Sequence, residues 1–307
     1  MPDLARRSLA KLSLAGAALL GAKPALAANL ADFTPVPLPL QLPAKTAVAA
    51  LPNANLAYWD TGSGREAMIL LHPATGSNLV WSYQQPAFAG AGYRVIAYSR
   101  RGFAGSDHGN GQGSDTQDLL DLADLLGLRK FHLVSTAAGA FTGLDFAVKH
   151  QDRLLTLTLA CSITGSDGAG TGPARDRLRP AAFNSLPPSF QELSPSYRAA
   201  NPEGMAAWEA LQRGSRGPQT SSALPAGGPP RQATITPAML HGLTIPTLLI
   251  AGGADLFAPP PLMRALKTLL PNASLTEIPD AGHSVYWEQP AIFNKLVLNF
   301  LRRSVVA

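Results

Sequence analysis

With a single cysteine, Cys161, among 307 residues, the chain cannot form an intramolecular disulfide. Charge is also scarce: 15% of residues are charged, against 46% hydrophobic. That balance excludes a disordered polyelectrolyte and fits a domain with a large buried core. No membrane-spanning run is found at the N-terminus, where the apolar stretch 12–22 has 11 residues and a span needs roughly 20. His108, His132, His150 and His241 lack the spacing of a metal site, and no cofactor motif is present, so neither a metal nor a cofactor is expected. The 27 prolines and 28 glycines are a mild excess and point to many loops.

The first 27 residues read as an export signal. Arg6-Arg7-Ser8-Leu9-Ala10-Lys11 is a twin-arginine pattern, the short apolar run follows, and Ala25-Leu26-Ala27 supplies the small residues of a cleavage site. Cleavage after Ala27 and a periplasmic or secreted protein are the expectation, with no stable membrane insertion afterwards. This segment holds Arg6, Arg7, Lys11 and Lys23 against Asp3, so its removal takes the net charge from +5 to +2. No basic cluster remains, which speaks against a nucleic-acid partner and for a small-molecule one. A twin-arginine route suits a domain that folds before export, without oxidative help.

Residues 28–54 are rich in Pro and Ala and read as an extended arm. Strands and helices then alternate. Strands are expected at 56–59, 67–71, 94–98, 131–134, 154–160, 247–251 and 274–278, and helices at 83–91, 115–126, 139–150, 260–270 and 290–302. Alternation of this kind implies a mostly parallel sheet covered on both faces. Residues 162–243 interrupt it with Gly and Pro clusters around two helices, one at 202–213, and read as an inserted lid. The core is thus expected at 55–161 and 244–307.

Five local segments carry the chemistry. His72-Pro73-Ala74-Thr75-Gly76 follows a strand. Ser99-Arg100-Arg101-Gly102-Phe103-Ala104-Gly105-Ser106 follows the next. Ser135-Thr136-Ala137-Ala138-Gly139-Ala140 joins a strand to a helix. Gly252-Gly253-Ala254-Asp255-Leu256-Phe257-Ala258-Pro259 and Ala281-Gly282-His283-Ser284 follow the last two strands. Together, over residues 55–303, they resemble the α/β-hydrolase superfamily, and in particular a bacterial branch with alanine at the nucleophile position.

The resemblance implies roles. Ala137 stands at the apex of the nucleophile elbow, where the family carries serine; a methyl group cannot attack a carbonyl, so the acyl-enzyme route is closed there. Ser135 and Thr136 precede the apex and should not point where it points. The backbone N–H groups of Ala74 and Ala138 would form an oxyanion hole; Pro73, in place of the usual glycine, has no N–H to give. His283 would be the base and Asp255 the acid that fixes its tautomer. Arg101 is expected to be a structural arginine and Cys161 a buried small residue. His72, Trp81, Tyr197 and Trp208 are candidate substrate contacts, with Phe183, Phe190 and Met205 as further apolar lid residues.

The leading reading is an enzyme acting on a small apolar ester, lactone or ketone-like substrate through a His-Asp dyad without a serine. The alternatives are a small-molecule-binding protein on a hydrolase scaffold, a Ser-to-Ala variant of a serine esterase, and a scaffold for protein contacts.

Overall fold

The computed structural model describes residues 35–162, 177, 179, 181–216 and 235–304. The segment expected to be an export signal lies outside these residues, as does much of the expected lid. Among the described residues no helix is long and apolar enough to cross a membrane.

Eight strands form one sheet: β1 (Lys45–Ala50), β2 (Asn55–Asp60), β3 (Ala67–Leu71), β4 (Arg94–Tyr98), β5 (Phe131–Thr136), β6 (Leu154–Ala160), β7 (Thr247–Gly252) and β8 (Ala273–Ile278). Their spatial order is β1-β2-β4-β3-β5-β6-β7-β8. From β4 to β8 the pairs are parallel, while β1 and β2 run antiparallel at one edge. The central strands are wholly buried apolar runs, as a sheet covered on both faces demands.

Strand β1 lies in the stretch read as an arm. Its Ala-rich sequence has little strand propensity, and its outer side chains, such as Val48, are exposed. Pairing with β2 over six residue pairs holds it, closed by a turn in which Leu51 N–H donates to the Ala54 carbonyl (2.9 Å). The sheet therefore begins about ten residues earlier than the sequence pattern indicates.

Two helical layers sandwich the sheet. On one face α2 (Asp115–Leu125) and α3 (Ala138–His150) bring Leu119, Leu122, Ala140 and Leu144 against Leu71, Leu133 and Leu157. On the other, α1 (Gln84–Gly90) places Phe88 against Val95, Val134 and Ile250. Beyond β6 the chain leaves the sheet and forms α4 (Pro188–Glu192), α5 (Pro195–Ala200), α6 (Pro202–Gly214) and α7 (Pro237–His241) before β7. Helix α8 (Pro260–Leu269) joins the first layer through Leu262, Met263 and Leu266. After β8 come the short α9 (Val285–Glu288) and the long α10 (Pro290–Ser304), whose Phe293, Val297 and Leu301 complete the second layer.

Chain direction reverses across the sheet between β3 and β5: β3 passes to β4 on one side, while the next strand, β5, is laid down on the other. The loops at the carboxyl ends of these two strands diverge to opposite faces and leave a crevice, the usual ligand position in an open α/β sheet. Residues 72–76 and Ala137 stand at those two ends.

Candidate active site

The elbow is a backbone feature before it is a side-chain one. Ala137 has φ 50° and ψ −119°, a conformation that costs a non-glycine residue strain. It is held by neighbours: Ala137 N–H donates to the Ala160 carbonyl (2.9 Å), and the Ala137 carbonyl accepts from Ala140 N–H (3.1 Å). The turn ends β5 and starts α3 at once, so the first N–H groups of α3 face the crevice end of the sheet without an intrahelical acceptor.

Gly139 sets the approach of the two loops. A Cβ there would lie 2.5 Å from the Leu71 carbonyl oxygen and 2.7 Å from that of His72. Only glycine lets α3 start this close to the end of β3, which brings Ala138 toward the loop bearing Ala74. Gly139→Ala is expected to cost about 3 kcal/mol, the upper end of overpacking penalties, because the atoms struck are main chain. Urea denaturation against the wild-type chain measures it.

Neither neighbouring hydroxyl replaces the missing serine. Ser135 Oγ donates to the Thr158 carbonyl (2.9 Å) and packs over Gly143, and Thr136 is fully buried within the sheet. At the apex there is a methyl group and nothing else.

Asp255 and His283 come together at the neighbouring strand ends. Asp255 follows β7, and its Oδ1 accepts the N–H groups of Phe257 (2.7 Å) and Ala258 (3.1 Å). Its Oδ2 lies 2.8 Å from His283 Nδ1. Asp255 is therefore fixed by its own turn and presents its second oxygen to the imidazole, which leaves Nε2 as the free nitrogen. Burial would push the His283 pKa down. The charge and hydrogen bond of Asp255, with the charge of Glu192 behind them, raise it instead, against a smaller opposing effect of Arg179. The Phe257 ring packs on the imidazole (4.6 Å between centroids), and Phe183 packs on Phe257 (4.9 Å).

Cys161 closes the back of this pair. It ends β6 with φ 50°, and its Sγ lies within 4.8 Å of donor atoms of both Asp255 and His283. A metal ligand would have to be the thiolate. Burial and the adjacent Asp255 charge push the Cys161 pKa well up, and Asp255 already spends both oxygens on His283 and its own backbone. The donor set fits a hydrogen-bonded cluster with a neutral thiol better than a metal cage.

The candidate substrate contacts separate. His72 is fully buried; its Nε2 accepts from Arg100 N–H (2.9 Å) and its Nδ1 lies 2.7 Å from the Pro73 carbonyl. Burial and the Arg100 charge hold its pKa well down. Both nitrogens are taken by main-chain groups, so His72 fixes the loop after β3 and is not free to contact a substrate. Trp81 is likewise buried in the second layer, its ring 5.1 Å from Tyr286. Tyr197 is buried with it, in reach of Asn201. Trp208 does reach the site: its Nε1 donates to Ser284 Oγ (3.3 Å), one residue from His283. Arg101 forms a paired contact with Asp118, both bonds 2.6 Å, and serves the fold.

Three residues not singled out by their sequence context join the site: Thr75, Glu192 and Ser284. Glu192, at the end of α4, accepts from Thr75 Oγ1 (2.8 Å) and from Ser284 Oγ (3.0 Å). A groove of about 620 Å³ lined by Leu128, Arg129, Lys130 and Arg153 lies at the amino ends of β5 and β6, the opposite end of these strands from Ala137, and takes no part.

Comparison with known proteins settles the family. The profile of the alpha/beta hydrolase family matches residues 68–296. The chain belongs to the α/β-hydrolase family. It is 28% identical over 260 residues to a 2-hydroxy-6-oxononadienedioate/2-hydroxy-6-oxononatrienedioate hydrolase of Burkholderia vietnamiensis, covering 80% of this chain and 90% of that one. Among solved structures, a thermophilic esterase from Thermogutta terrifontis superposes with TM-score 0.69 at 24% identity, over 85% of this chain and 99% of that one. An enol-lactonase from Burkholderia xenovorans superposes with TM-score 0.64 at 21% identity, over 83% of this chain and all of that one. Ala137, Asp255 and His283 thus follow β5, β7 and β8 of an α/β-hydrolase sheet, the chain order of nucleophile, acid and base in the family.

Proposed function

We propose that this α/β-hydrolase acts on a small apolar ester, lactone or ketone-like substrate without a covalent enzyme intermediate. The observation that carries the reading is the intact dyad beside an empty apex. Asp255 is held by two N–H groups and bonded to His283 at 2.8 Å, while Ala137 offers no nucleophile.

In this reaction His283 Nε2 takes a proton from a water molecule as its oxygen bonds to the substrate carbonyl carbon. The carbonyl oxygen becomes an oxyanion, and the N–H groups of Ala74 and Ala138 hold it. The tetrahedral species collapses, the bond from that carbon to the leaving group breaks (carbon–oxygen in an ester or lactone, carbon–carbon in a β-diketone), and His283 returns its proton to the departing oxygen or carbon. Water and ester become acid and alcohol, with the imidazole neutral again. The relatives support hydrolysis of a small substrate: one is a 2-hydroxy-6-oxononadienedioate hydrolase, another an enol-lactonase. The helices between β6 and β7 would act as the lid over the crevice, and the work would be done outside the cytoplasm after twin-arginine export.

A panel of activated esters, lactones and β-diketones, assayed with the full chain, tests the reading. Turnover is expected, with no mass increase on the protein when it is quenched during the reaction. A stable acyl adduct, or a ligand that binds and is released unchanged, would defeat it; the second result would favour a binding protein.

A further inference from the structure

The insertion and the base are joined at one short stretch of chain. His283 N–H donates to the Glu192 carbonyl (2.7 Å), and Ser284 N–H lies 3.3 Å from the same oxygen. Gly282 carries no Cβ because one would sit 2.5 Å from that carbonyl and 2.7 Å from Ser194 N. Glu288 completes the seam from the other side, accepting Gly282 N–H (3.0 and 3.1 Å) and Ser194 N–H (2.9 Å). Main-chain bonds of this kind need no particular side chain at position 192. Burial raises the pKa of the Glu192 carboxyl, and the His283 charge with the hydroxyl donors of Thr75 and Ser284, from two different site loops, works against that rise.

We propose that Glu192 is a positioning residue for the base: its carboxylate ties the oxyanion loop at Thr75 to the His283 loop at Ser284 and stabilises the protonated imidazole that forms during turnover. Insertion, oxyanion loop and base are then set by one side chain, so the site is complete only while α4 is docked. The inference rests on His283 being the base, and it adds a second carboxylate to the one the family pattern supplies. The charged groups facing His283 are Asp255 from the turn after β7, and Glu192 and Arg179 from the insertion, with the Cys161 thiol behind. Those facing Glu192 are His283 and Asp255, with Glu288 across Gly282. Arg179 Nε donates to the Leu256 carbonyl (3.1 Å) and its guanidinium lies over Phe257, so among the described residues the cation facing the pair is anchored to the loop bearing Asp255.

The test is an NMR titration of His283 in the full chain, with its ring signal assigned by comparison with His283→Ala. Glu192→Gln keeps the side chain's size and can still bond both hydroxyls, but removes the charge. The His283 midpoint should fall by about one unit, the low end of what an adjacent opposite charge produces. Glu277→Gln, an exposed carboxylate on β8, should leave it in place. In an Ala137→Ser background, the alkaline-rising limb of esterase kcat/KM should move down by the same amount. An unmoved midpoint in a folded Glu192→Gln chain overturns the proposal. Should that variant fail to fold, Glu192→Ala, which removes the charge outright, must lower the midpoint; no shift there overturns it equally. The titration reads the imidazole itself, so it judges Glu192 even if no substrate is ever turned over.

Discussion

Replacing Ala137 with serine should turn the protein into an esterase, raising p-nitrophenyl ester hydrolysis about a thousandfold or more over the parent, by analogy with what triad nucleophiles contribute. The backbone at this position already has the elbow conformation, φ 50° and ψ −119°. Serine differs from alanine by one oxygen on the same Cβ and adopts that conformation no less readily. The oxygen would project from the apex toward the base, whose orienting acid is in place at 2.8 Å. The variant should also acquire an acyl mass adduct on Ser135→Ala and Thr136→Val backgrounds alike, because those hydroxyls are buried in the sheet. A folded Ala137→Ser chain without esterase activity would mean that His283 or the oxyanion loop does not face the apex.

The second large effect belongs to the dyad. Asp255→Asn should lower kcat by about 10⁴, and His283→Ala should remove base-dependent turnover entirely. The asparagine can keep the Phe257 and Ala258 N–H bonds through its oxygen, which turns its NH₂ toward His283 Nδ1. That nitrogen must then accept, so the imidazole proton moves to Nε2, where a base needs a lone pair. The loss is one of tautomer, and the fold should survive with little change in Tm. As the proposed base, His283 would work in the parent only when neutral. Its raised pKa therefore places the rising limb of the pH–rate profile above the ordinary histidine value of about 6.5. Measuring kcat/KM from pH 5 to 9 locates it.

Most of the sheet was legible because its strands are short apolar runs bounded by turns. Ala67–Leu71 and Thr247–Gly252 can pack nowhere except between two helical layers. Strand β1 was not legible, since alanines at its inward positions carry neither a strand preference nor a hydrophobic signal strong enough to show a period; its partner strand makes it a strand. At the site, Asp255 and His283 stood out because each sits in a glycine-containing turn directly after a strand. Glu192 did not. It lies in a short helix begun by Pro188, surrounded by loop-forming residues, and a lone glutamate there reads as a solvated one. What buries it is the fold's return of residues 282–284 to the same place, a contact 92 positions distant in the chain. His72 was overread for the converse reason: a histidine beside an oxyanion loop looks like a substrate contact until both of its nitrogens are seen to hold main chain.

The left-handed turn at Ala137 has a consequence for how this protein is related to its catalytic kin. Alanine and serine codons can differ by a single base, and the local main chain imposes the same strain on both residues. Exchange of alanine and serine at this position thus crosses no folding barrier in either direction. A lineage can shed or regain the hydroxyl in one mutational step, with the Asp255–His283 pair unchanged on either side.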